Sequence, residues 1–118
     1  MRTRVLIVDD DPRFRALARA LLEASGYAIV GEAADGEQAL AAVARFRPDA
    51  AVVDVQLPDT DGFALARRLV DANHSLRILL TSMDPTLATP AALADSGALA
   101  FVPKDDLAVT DLAPWLEG

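Results

Sequence analysis

The sequence predicts an α/β protein, a doubly wound (βα)5 domain with a five-stranded parallel sheet. Three observations predict it. Short runs rich in Val, Ile, Leu and Ala alternate with segments whose apolar residues recur every three or four positions. The runs are continuous rather than alternating, the mark of strands covered on both faces. Gly and Pro punctuate the spaces between them, and no linker or repeat divides the 118 residues, which read as one domain, 1–118.

The elements follow in order. Val5 to Val8 forms the first strand and runs into Asp9, Asp10 and Asp11. Asp11 can cap a helix with Pro12 at its first position, and Phe14, Leu17, Ala18, Leu21 and Leu22 give its apolar stripe before a stop at Gly26. Tyr27 to Ala33 is the second strand, and a second helix runs from a cap near Asp35 to a stop before Pro48. Ala50 to Asp54 is the third strand. The third helix spans Asp61 to Ala72, with Phe63, Leu65, Ala66, Leu69 and Val70 along one side. Leu76 to Thr81 and Ala98 to Val102 complete the sheet. Pro85 and Pro90 predict a short fourth helix starting near Pro90, and Pro114 interrupts the fifth.

Composition narrows the function. A chain that is 53% hydrophobic and 25% charged is an ordinary soluble globular protein. It has no Cys, so disulfide and thiolate chemistry are excluded and a reducing cytoplasm is compatible. A net charge of -7 argues against nucleic-acid binding by this domain, because phosphate contacts need Lys and Arg. The basic Met1 to Arg4 is followed by too short an apolar run for a signal-peptide core, and nothing is long enough to span a bilayer.

The acidic residues carry the chemistry. Asp9 and Asp10 end the first strand and Asp54 ends the third, and the carboxyl ends of parallel strands share one edge of the sheet, where ligands bind. Three converging carboxylates are unstable unless a cation or protons offset them. Oxygen ligands without His or Cys point to a hard ion, Mg²⁺. Lys104, just after the fifth strand, adds a cation at the same edge, and Thr81 ends the fourth strand with a hydroxyl. Carboxylate, divalent ion, ammonium and hydroxyl together make a phosphoryl site. Asp54 can act as the nucleophile, with Mg²⁺ and Lys104 offsetting charge on the transferring oxygens.

Four motifs in this order, "LIVDDDP", "VVDVQLPDTDG", "LLTS" and "FVPK", resemble the receiver domains of two-component response regulators, from Val5 to about Leu107. The resemblance implies a flavodoxin-like fold of strand order 2-1-3-4-5, an order for which receivers are themselves the standard illustration. It implies that Asp54 is the phosphoacceptor, that Asp10 binds Mg²⁺ directly and Asp9 mainly through water, and that the backbone carbonyl of Gln56 is a further ligand. It makes Thr81 the switch hydroxyl and Lys104 the phosphate-binding lysine, and Pro58 and Gly62 match the loop after the phosphorylated strand. Phe101 stands at the switch-aromatic position, where it is either a switch that works by packing or an edge filler. "FVPKDDL", with Pro103 before the lysine and Asp105 after it, resembles the NarL-type subgroup.

The implied function is a phosphorylation-activated signalling switch in the cytoplasm rather than an enzyme with a turnover substrate. Its implied partners are a sensor histidine kinase or phosphotransfer protein, a second copy through the face of the fourth and fifth helices, and a DNA-binding output domain outside this chain. A phosphorylation-independent interaction module is the alternative. An aspartyl phosphohydrolase would need a cap insertion and a second acid where Gln56 stands. Asp59 and Asp61 read as turn and cap residues, His74 as a turn residue, Trp115 as a core contact or partner anchor, and Arg13, Arg15 and Arg19 as a solvated helix face.

Overall fold

The computed structural model describes residues 2–118. Five strands, β1 (Arg4–Val8), β2 (Ala28–Ala33), β3 (Ala50–Asp54), β4 (Arg77–Ser82) and β5 (Ala100–Pro103), form one sheet in the order β2-β1-β3-β4-β5. All four pairings are parallel. The doubly wound fold and its strand order are those expected from the sequence.

Four helices connect the strands, α1 (Pro12–Ala24), α2 (Gly36–Phe46), α3 (Gly62–Ala72) and α4 (Pro90–Ser96), and α5 (Ala113–Leu116) follows β5. Each of the first four starts on a side chain that accepts a backbone N–H: Asp11, Asp35, Asp61 and Thr89. Pro12 and Pro90 occupy the first turn, where no amide donor is needed. The carboxylates of the loops are thus largely spent on helix starts, and those that end strands are left for the site.

The strands divide the core into two layers by their two-residue period. Leu6, Val8, Ala51, Val53, Ile78 and Leu80 face α2, α3 and α4, while Val5, Ile7, Ala50, Val52 and Leu79 face α1 and α5. Every residue of β3 is buried, as its unbroken apolar run requires. The fourth helix is seven residues long and the fifth four, the shortening that Pro85, Pro90 and Pro114 predict. Leu17 departs from the expected stripe: it is 64% exposed on α1, which buries only Ala18 and Leu22 fully. Trp115 packs half-buried against the α1 and α5 layer, the core contact of its two expected roles.

Candidate functional site

The register of the sheet builds the site. Val8 pairs with Val53, so Asp9 follows β1 at the level where Asp54 ends β3. One carboxylate oxygen from each of Asp9, Asp10 and Asp54 falls within 4.8 Å of the others. Asp9 and Asp54 are buried and Asp10 is exposed, so the cluster opens to solvent on one side.

Backbone amides hold the two buried acids. Asp9 Oδ1 accepts from the Asp11 N–H at 2.8 Å, and Asp54 Oδ1 accepts from the Gln56 N–H at 3.1 Å. Each points its second oxygen at Lys104, whose Nζ lies 2.6 Å from Asp9 Oδ2 and 3.3 Å from Asp54 Oδ2. The contact with Asp9 is ionic and outside hydrogen-bond alignment, so among the described residues buried Asp9 Oδ2 receives no hydrogen bond. Its partner is the Lys104 ammonium, through charge. Three carboxylates against one ammonium leave a formal charge of about -2, which a divalent cation matches.

The two opposed groups shift in consistent directions. Burial pushes the Asp54 carboxyl up, the Gln56 N–H pulls it down, the Asp9 charge raises it and Lys104 lowers it, leaving it above the ordinary carboxylate range. Burial alone would depress Lys104, but contact with Asp9 and the charges of Asp54 and Asp9 outweigh it and hold the ammonium above its usual range.

The loop after Asp54 is fitted closely. The Gly62 N–H donates to the Val55 carbonyl at 2.6 Å, and a Cβ at Gly62 would collide with the Asp54 carbonyl oxygen and the Val55 Cα. Only glycine fits there. Asp61 caps its own helix, as expected. Asp59 does cap chemistry at a distance: its two oxygens accept from the Gly36 and Glu37 N–H groups at 2.8 and 3.1 Å, tying this loop to the start of α2. Those hydrogen bonds hold the Asp59 carboxyl below the ordinary range.

The structure adds partners at Thr81, Ser82 and the arginines of α1 that the sequence reading did not include. Thr81 pairs with Asp54 in the sheet, but its hydroxyl donates to the Val102 carbonyl at 2.7 Å and is buried, so its proton is spent on β5. Ser82, which had no role, extends β4 by one residue; its Oγ accepts from the Asp84 N–H at 3.1 Å, which leaves its own proton to donate. By alternation it shares the sheet face of Leu80, against which half-buried Phe101 also packs. The arginines of α1 are not all a solvated face: Arg15 donates from Nη1 to the Asp9 carbonyl at 2.6 Å and from Nε to Glu32 at 3.1 Å, and Arg19 pairs with Glu32 at 2.8 Å.

The chain is similar to known proteins. The family model for the response regulator receiver domain matches residues 5–112. A putative transcriptional regulator of Pseudomonas aeruginosa is 39% identical over 103 residues, covering 86% of this chain and 49% of that protein. The signal receiver domain of the putative response regulator NarL from Mycobacterium tuberculosis is 35% identical with a TM-score of 0.73, covering 88% of this chain and 85% of that one. Response regulator TrrA from Thermotoga maritima, solved in complex with Mg²⁺ and beryllium fluoride, is 26% identical with a TM-score of 0.78 over 87% of this chain and 86% of that one. The chain spans about half the length, or less, of the first curated relatives it matches. No helix among the described residues is long and apolar enough to cross a membrane. The chain belongs to the response regulator receiver domain family.

Proposed function

We propose that this domain is a phosphorylation-driven switch in which Asp54 accepts a phosphoryl group from a histidine kinase or phosphotransfer protein. The observation that carries the reading is the placement of Asp54 Oδ2 beside Lys104 and within one carboxylate cluster with Asp9 and Asp10. An Asp54 oxygen forms the new bond to phosphorus as the phosphorus–nitrogen bond of a phosphohistidine breaks, and the imidazole leaves with the donor. The carboxylates of Asp9, Asp10 and Asp54, with the Gln56 carbonyl, would hold Mg²⁺. Bound there, the ion supplies countercharge to the phosphoryl oxygens. Lys104 moves its ammonium from Asp54 Oδ2 to a phosphoryl oxygen without leaving the cleft. Ser82, rather than Thr81, donates its free proton to the new group, because Thr81 is committed to Val102.

Such contacts form only in the phosphorylated state, which is the requirement for shifting a two-state balance. Phe101, on the same sheet face as Ser82, carries the change by repacking rather than by a hydrogen bond, since it has no hydroxyl. The affected surface, α4 and β5, is where a second copy or an output domain would dock, in the cytoplasm. The test is intact mass after incubation with Mg²⁺ and acetyl phosphate. The wild type should gain one phosphoryl group and Asp54→Asn none; acid-labile phosphate on the variant at the wild-type level would reject Asp54 as acceptor.

A further inference from the structure

Lys104 has three N–H groups, and the two carboxylates face only part of the ammonium. A third neighbour closes it. The Lys104 Nζ stands 4.1 Å from the centroid of the Phe14 ring, on the first turn of α1. A cation this close to an aromatic face is attracted by the ring's negative quadrupole, and the attraction is greatest where water is excluded. The Lys104 side chain is only 10% exposed. The ring is itself anchored, packing half-buried against the α1 and α5 core layer. Its successor Arg15 fixes the same turn to the Asp9 carbonyl.

We infer that Phe14 is a positioning residue that holds the Lys104 ammonium on its ring face, within reach of both Asp9 and Asp54. The inference rests on the phosphoryl reading for its use but not for its geometry. Lysine is a point charge on four rotatable carbons, so two carboxylates alone leave it free to swing outward along the open side of the cluster. The flat apolar ring restricts it without competing for its protons. When Lys104 turns to a phosphoryl oxygen, the ring remains beneath it, and the entropy of ordering the side chain has already been lost.

The experiment uses the whole chain in two steps. In metal-free protein, the Lys104 ε-methylene protons should lie upfield of the other position typical of lysine because of the Phe14 ring current. The shift should vanish in Phe14→Leu and persist in Phe14→Tyr. Beryllium fluoride affinity in Mg²⁺, followed by tryptophan fluorescence and ¹⁹F resonance, should fall about 3- to 30-fold in Phe14→Leu and recover in Phe14→Tyr. Unshifted Lys104 protons in the wild type would overturn the placement, whatever the variants do. A lost shift with unchanged affinity would overturn the positioning role. If wild type shows the shift but binds no beryllium fluoride, the phosphoryl reading fails and Phe14 is no positioning residue for it, although its contact with Lys104 stands.

Discussion

The first and second halves of the chain solve the same folding problem differently. Up to Ala72, helices of 13, 11 and 11 residues cover the sheet. Beyond Arg77 the helices have seven and four residues, 3-10 turns fill the gaps, and Met83, Leu99 and Val109 stand exposed. Yet β4 is buried from Ile78 to Ser82. The carboxylate cluster comes from the first half and the lysine that faces it from the second. What the chemistry requires is strand ends in register, and these survive where helices are thin.

The comparison can be broken most completely at Asp54. Asp54→Asn should abolish phosphoryl gain while leaving circular dichroism unchanged. It should also make the metal-free protein more resistant to urea at pH 7. The folded-state carboxyl is raised, so its contribution is fully present below the unfolded value and is lost as pH rises through the folded one; asparagine cannot ionise and escapes that loss.

Glycines sharpen the contrast between halves. Gly62→Ala drives a methyl into the backbone of Asp54 and Val55 and should cost about 3 kcal/mol in urea unfolding. Gly97→Ala, at φ +76, meets backbone strain and only the flexible far end of the Arg67 side chain at 3.3–3.4 Å, and should cost about 1 kcal/mol. Equal costs would mean that the loop after Asp54 yields as readily as the end of α4.

A smaller effect joins the two halves. Tyr27, just before β2, donates to Glu117 after α5 at 3.0 Å, and burial with that carboxylate pushes its phenol up to about 12. A raised folded value means stability is complete below the unfolded value near 10 and falls as pH climbs toward 12. That decline should flatten in Tyr27→Phe, as read by melting temperature across the alkaline range. Least of all, Met83→Gln, on the exposed second half, should change stability by no more than about 0.5 kcal/mol.

The fold was legible because its signals are local. Asp11, Asp35 and Asp61 cap the helices they precede, and the prolines shorten α4 and α5 where they stand. That the acidic pair, Asp54 and Lys104 lie together was legible too, because parallel strands bring their carboxyl ends to one edge. What stayed hidden was pairing across elements. Whether Thr81 or Ser82 keeps a free proton depends on the register of β4 with β5, which sets Thr81 against Val102. Asp59 reads as a turn residue until α2 is placed beside it, 22 positions back in sequence. Phe14 reads as one more apolar residue of a helix until Lys104, from the far end of the chain, arrives over its ring.

The central claim is that Asp54, and no other acid of the cluster, carries the phosphoryl group when a divalent ion is present. Borohydride reduction of the acetyl-phosphate-treated protein, followed by peptide mass spectrometry, tests it directly, because an acyl phosphate is reduced to an alcohol that marks its position. Reduction at Asp54 alone, dependent on Mg²⁺, is the predicted result; reduction at Asp9 or Asp10, or none at any acid with an active donor, would contradict it.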